Sequence, residues 1–193
     1  MKTVDEMIKG DKYYKALYHN LWQKIWEHRP ETVLVMGCHA GWDAEYLLKN
    51  SAVKHITIIE PVEWFVNKYK EDFRDKSNVD VLKGSWESTI SFKRKFDMAL
   101  CFDCIEHSPK PLSIVKNLMV YSDKLAISMP NGKWNFRDGL RNEDHGHGPH
   151  IQHYGFGDIR QLFDGFGSTE IKPVRADLLG RFGFGMFVFV NMD

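Results

Sequence analysis

Phe96-Asp97-Met98-Ala99-Leu100-Cys101-Phe102-Asp103-Cys104-Ile105-Glu106-His107 is the stretch on which the fold turns. Its first seven residues are nearly all apolar, which is how a strand buried on both faces of a parallel sheet reads. An acid and a Glu-His pair follow at once, so polar chemistry stands where the strand ends. Upstream, Glu31-Thr32-Val33-Leu34-Val35-Met36-Gly37-Cys38-His39-Ala40-Gly41-Trp42 predicts another buried strand, running into a glycine turn with a helix just beyond. Glycine allows close approach to the backbone, and N–H groups at such a turn can face a ligand. A third apolar run, His55-Ile56-Thr57-Ile58-Ile59, ends on Glu60 and Pro61. A glycine turn after one strand and a carboxylate ending the next make a nucleotide-binding arrangement, the carboxylate gripping ribose hydroxyls.

Strand and helix patterns alternate outward from these runs. In residues 11–28, Tyr14, Tyr18, Trp22 and Trp26 are spaced four apart beside Leu17, Leu21 and Ile25, which predicts one apolar helix face. That face either packs on the sheet or lids the glycine turn with its aromatic end, and Pro30 stops the helix. Strands are expected at Val33–Met36, Ile56–Ile59, Val79–Leu82, Phe96–Phe102 and Leu125–Met129, with helices over Trp42–Lys49, Glu63–Phe73 and Pro111–Val120. The polar stretch Asn131–Gly157 reads as a long loop, Asp158–Phe166 as a helix. Ser168–Arg175 and Phe182–Asn191 have no helix between them, so they should pair antiparallel at the sheet edge.

The expected fold is α/β: a Rossmann-like, doubly wound, mostly parallel seven-stranded sheet with a C-terminal antiparallel hairpin and helices on both faces. One domain should span residues 1–193, with 1–30 as a helical lid and 131–157 as a substrate-side loop. Ligands of such sheets bind at the carboxyl ends of the strands. That rule selects Gly37–Gly41, Glu60, Ser85-Trp86 and Phe102–His107.

Composition narrows the partners. Lys+Arg and Asp+Glu both number 26, so no global field favours nucleic acid or an anionic membrane. No apolar run approaches the roughly 18–20 residues of a membrane span, and the N-terminus lacks an apolar signal core. Three cysteines, an odd count, argue for a reducing, cytoplasmic setting rather than a disulfide framework. Cys101 and Cys104 form a C-x-x-C with no second pair, short of the four ligands of structural zinc.

These motifs resemble the class I S-adenosylmethionine-dependent methyltransferases, especially the small-molecule branch, over nearly the whole chain. The resemblance implies S-adenosylmethionine as cofactor and S-adenosylhomocysteine as product. It implies that Gly37, Cys38, His39 and Gly41 hold the methionine end. Glu60 and Pro61 would take the ribose, Ser85 and Trp86 the adenine, and Phe102 and Asp103 would line the same cleft. Ile127-Ser128-Met129-Pro130-Asn131-Gly132, followed by a loop and His150 before a helix, also looks like this branch. Three positions depart from the pattern. Val35 stands where the family commonly has an acid, His39 replaces the middle glycine, and Ser85 replaces the adenine-binding Asp. A non-catalytic methyltransferase-like binding domain with an altered cofactor site is therefore the alternative. A nicotinamide-dependent Rossmann enzyme is disfavoured by the missing third glycine and the closing hairpin.

Methyl transfer from a sulfonium is an in-line displacement, to which the protein contributes mostly proximity and alignment. A hydroxyl acceptor gains from a base, and histidine titrates near neutrality. His107 is one candidate base, with pocket shaping as its other reading. Glu106 should fix local structure. The loop His145-Gly146-His147-Gly148-Pro149-His150-x-x-His153 admits three readings: a metal site, a substrate-side role for one or two histidines, and a polar lid. No metal is assigned, and His150 is the preferred substrate-side residue. The acceptor expected is a small molecule, methylated on an oxygen of a sugar, lipid or related metabolite.

Overall fold

The computed structural model describes residues 3–37, 41–88, 91–132, 151–176 and 183–192. Strand β1 (Thr32–Met36), β2 (His55–Glu60), β3 (Val79–Lys83), β4 (Met98–Phe102), β5 (Lys124–Pro130), β6 (Ser168–Ala176) and β7 (Gly183–Asn191) form one sheet in the order β3-β2-β1-β4-β5-β7-β6. Every residue of β4 is buried, as a central parallel strand requires. β1 pairs in parallel with both β2 and β4, so the strand order reverses between β1 and β4. β7 lies antiparallel to both β5 and β6.

The sheet separates two apolar layers because its side chains alternate faces. Val33, Val35, Ile56, Ile58, Leu100 and Phe102 point into one layer, covered by the helices of the first 72 residues. These are α1 (Val4–Gly10), α2 (Lys12–His28), α3 (Trp42–Asn50) and α4 (Glu63–Asp72). Leu34, Met36, Ala99, Cys101 and Ile127 point the other way, beneath α5 (Pro111–Tyr121) and α6 (Phe156–Leu162).

The amino-terminal region holds two helices where one was expected. Thr3 and Glu6 make a reciprocal capping box on α1, and Asp11 starts α2 by accepting from the Tyr13 N–H at 2.7 Å. α2 ends at His28, and its cap Arg29, with a φ of 46°, turns the chain left-handed just before Pro30. Its aromatic stripe also differs from expectation. Leu17, Tyr18, Leu21 and Ile25 are buried, whereas Trp22 and Trp26 are 41% and 63% exposed. Residues four apart drift by about 40° per step on a helix of 3.6 residues per turn, so the stripe leaves the buried face. The helix expected over Asp158–Phe166 runs instead from Phe156 to Leu162, and positive-φ glycines at 165 and 167 follow it.

Two polar clamps set the register of the layers. Asp97 Oδ2 accepts from the Glu31 N–H (2.9 Å), the Thr32 N–H (2.8 Å) and the Thr32 hydroxyl (3.0 Å), tying the starts of β1 and β4 together. Lys24, buried on α2, pairs with Glu27 and Glu170 and lies over the Phe189 ring, which docks α2 on β6 and β7.

Candidate active site

At the switch point the chain leaves β1 through Gly37, whose φ is 65°. Only glycine fits here. A Cβ on Gly37 would stand 2.4 Å from Cys104 Sγ and 3.3 Å from the Trp86 ring. The Gly37 N–H donates to the Ile59 carbonyl at 2.9 Å, tying the turn to β2. Gly41, with φ 88°, begins α3 and needs glycine for its conformation alone, since a Cβ there would meet only ordinary contacts at 3.7 Å.

Carboxylates gather around this turn. Glu60 is fully buried at the end of β2, and one of its oxygens accepts from the Val62 N–H at 2.9 Å across Pro61. Asp103 follows β4 with a φ of 48°, a conformation that a non-glycine residue holds only where its surroundings over-determine it. Here they do. Asp103 Oδ1 accepts from the hydroxyls of Tyr13 and Ser128, both at 2.9 Å, and its N–H donates to the Ser128 carbonyl. Asp43, in the first turn of α3, is 1% exposed and accepts from the Tyr18 hydroxyl at 2.8 Å. Burial raises the Asp43 carboxyl to about 7, with the Tyr18 hydrogen bond opposing that rise and the Asp103 charge adding to it. Glu106 is buried with neither carboxyl oxygen bonded to a described residue. Burial, then the Asp103 charge, pushes it well above the usual carboxylate range.

The remaining sequence candidates take distinct places. His107 ends the 3-10 turn Ile105–His107, half-buried, its N–H on the Cys104 carbonyl. Phe102 is buried within the layer beneath α2, its ring edge-on to Phe187. Trp86 is buried against Gly37 in the opposite layer. Ser85 is exposed, and its hydroxyl donates to Glu87, which also accepts from Ser108 at 2.6 Å. Cys101 and Cys104 are buried free thiols, and Cys104 Sγ donates toward the Met36 and Phe102 carbonyls. Cys38, His39, His145, His147 and His150 lie outside the described residues. Asp43, Tyr13 and Tyr18 were not picked out as site residues from sequence. The signal available was an acid two residues past the last glycine of the turn.

A separate space opens on the outer side of α3. A cavity of about 580 Å³ opens between α3 and α4, bordered by Gly41, Trp42 and Phe73. Several of its charges are paired: Lys49 with Asp5 and Glu45, and Lys68 with Asp72. The strand ends, not this groove, hold the concentration of buried titratable groups.

A family model described as a methyltransferase domain matches residues 8–171. The chain belongs to that methyltransferase family. It is a class I, Rossmann-like, S-adenosylmethionine-dependent methyltransferase, with the seven-stranded sheet and antiparallel closing strand expected from its sequence. No curated protein matches the methyltransferase chain in sequence. Among solved structures it resembles the methyltransferase domain of bacterial CtHen1, with TM-score 0.77 and 14% identity over 93% of this chain and 99% of that one. It also resembles the small RNA methyltransferase HEN1, with TM-score 0.72 and 17% identity over 91% of this chain and 25% of that one. A third is the N-terminal domain of EvdMO1, solved in the presence of S-adenosylhomocysteine and D-fucose. There the TM-score is 0.66 and the identity 16%, over 89% of this chain and 81% of that one. At such identities the likeness is one of fold. Among the described residues, no helix is long and apolar enough to cross a membrane.

Proposed function

We propose that this methyltransferase methylates an oxygen of a small neutral metabolite, a sugar, lipid or related molecule, using S-adenosylmethionine and releasing S-adenosylhomocysteine. When bound, the cofactor supplies a methyl group already activated on a sulfonium. The observation that carries the reading is the convergence of Asp43, Glu60, Asp103 and Glu106 at the carboxyl ends of the strands. Carboxylates in a dry site favour a cationic ligand, and the sulfonium donor is one. The residues present therefore fit the cofactor: Glu60 suits ribose hydroxyls, the Gly37 turn and Asp103 the amino acid end. Trp86 and the Ser85–Glu87 pair stand at the end of β3, beside the position proposed for adenine.

His107, on the turn after β4, is the proposed base that takes the proton of the acceptor hydroxyl. His150 is proposed to bind the acceptor. A nucleic acid acceptor, as the name of one structural neighbour states for that protein, would call for a basic surface. Equal numbers of basic and acidic residues weigh against it here. The proposed setting is the cytoplasm, in keeping with the free buried thiols of Cys101 and Cys104.

Transfer of a labelled methyl group from S-adenosylmethionine to a panel of sugars, hydroxylated lipids and a short RNA tests this. Label on a sugar or lipid oxygen supports the reading, and label on RNA alone overturns the acceptor class. Tight S-adenosylhomocysteine binding with no transfer to any acceptor would favour the non-catalytic alternative.

A further inference from the structure

The groove between α3 and α4 is built like a binding site and contains none of the strand-end acids. Its cavity of about 580 Å³ falls within the range of about 300–1,000 Å³ over which proteins enclose small molecules. Trp42 and Leu48 on α3 and Phe73 at the end of α4 give it apolar walls. These walls are held from behind. The Trp42 ring stands edge-on to Tyr14 of α2, centroids 5.7 Å apart, and all three wall residues pack on the core layer beneath. A wall already fixed in place has little freedom left to lose when a ligand arrives.

The rim is cationic, and its charges are unequally committed. Three lysines border the cavity against two acids, Glu45 and Asp72. Lys49 donates to Glu45 at 2.7 Å and to Asp5 at 3.3 Å, and Lys68 is held by Asp72 one turn along the same helix. Lys76 has no ion pair among the described residues. Its N–H donates to the Phe73 carbonyl at 2.9 Å, which sets it beside the Phe73 wall. Both acids on the rim are thus engaged, and one ammonium is left over. Complementarity then favours an anion with an apolar body, since a cation would meet only carboxylates that already hold lysines.

We propose that this groove is a second ligand site, taking a small free organic acid whose apolar body lies against Trp42, Leu48 and Phe73 and whose carboxylate pairs with Lys76. Lys76 stands on the exposed side of the cavity, so the charge supplies selectivity and the apolar contact supplies most of the affinity. The assignment does not depend on the methyl acceptor, because no strand-end acid borders the cavity.

Equilibrium dialysis of the full chain compares 2-naphthoate with 2-naphthalenemethanol, which keeps the rings and lacks the charge. The wild type should bind both and prefer naphthoate about twofold to fivefold, the worth of one exposed ion pair. Lys76→Gln, at an exposed position, should bind the two probes equally. Leu48→Trp fills the cavity and should bind neither, a urea melt showing whether its fold survives; if it unfolds, Lys76→Gln decides alone. Saturating S-adenosylhomocysteine should displace no naphthoate. Trp26→Ala should leave binding unchanged, a needed control because the exposed Trp22 and Trp26 rings are another apolar surface for a naphthalene. An unchanged preference in Lys76→Gln, binding retained by a folded Leu48→Trp, displacement by S-adenosylhomocysteine, or loss of binding in Trp26→Ala overturns the assignment. So does a wild type that binds neither probe.

Discussion

Replacing Asp43 with asparagine should make this methyltransferase more stable, by an amount that depends on pH. The carboxyl is raised from its ordinary 3.8 to about 7, chiefly by burial. A tenfold change in an acid's dissociation constant corresponds to about 1.4 kcal/mol, so the rise from 3.8 to about 7 amounts to about 4 kcal/mol. The sign follows from where the proton sits. Between about pH 4 and pH 7 the folded state keeps a proton on Asp43 that the unfolded state has released. Stability from this group therefore declines by about 1.4 kcal/mol for each step of one in pH across that window, and is flat above it. Asparagine has nothing to titrate and can still accept from Tyr18. The variant should match the wild type near pH 4 and exceed it by about 4 kcal/mol at pH 8, a rise in Tm on the order of 10 °C for a chain of this size. Urea melts followed by circular dichroism, on both proteins at each pH, measure the difference. Subtraction removes the contribution of Glu106, also pushed up by burial, because both proteins carry it. A difference that stays constant from pH 4 to pH 8 would refute the reasoning.

Three further outcomes can be checked. Gly37→Ala should cost about 2–4 kcal/mol in a urea melt, from its positive φ and the clash with Cys104 Sγ, and adding Cys104→Ala should restore the steric part; equal melts for the single and double variants would deny the contact. Asp97→Ala should cost about 1 kcal/mol, modest because the side chain is exposed. Partial burial pushes the Asp97 carboxyl up, but hydrogen bonds from Thr32 and Glu31 outweigh it and leave it lowered. Its contribution is thus present above the usual carboxylate range and lost as pH falls through the depressed value, so the two proteins should converge in acid. His107→Gln should lower turnover by about a hundredfold or more without changing the S-adenosylhomocysteine affinity; an unchanged rate would remove His107 as the base.

The strand ends were legible in the sequence because buried parallel strands leave continuous apolar runs, and because Gly37, Glu60 and Asp103 interrupt those runs with residues that a core does not tolerate. The antiparallel closing hairpin was expected from the missing helix before β7, whereas the order of the strands in the sheet is seen only in the structure. Asp43 was illegible for a physical reason. An acid in the first turn of a helix is what the helix dipole favours at a solvated surface, so the residue looks ordinary until α2 is seen to close over it. The Thr3–Glu6 box that starts α1 is a cap signal in the sequence, but the seven residues after it give too little periodicity to mark a helix. Trp22 and Trp26 misled in the opposite direction, as large apolar residues that the winding of the helix carries outward.

One helix, α2, supplies the hydroxyls that hold two acids on different parts of the sheet: Tyr13 on Asp103 and Tyr18 on Asp43. These contacts bridge 90 and 25 residues of chain, and the longer one can form only after β4 is in place. Contacts of such separation come late in folding, because loop closure must precede them. Before α2 docks, Asp43 is hydrated and ionised at pH 6; once α2 docks, it is dry and protonated. Closure of α2 over Asp43 should therefore draw close to one proton from solution at that pH, on top of any taken up by the buried Glu106 carboxyl. An indicator dye in stopped-flow refolding of the wild type and of Asp43→Asn would record that uptake as the difference between the two.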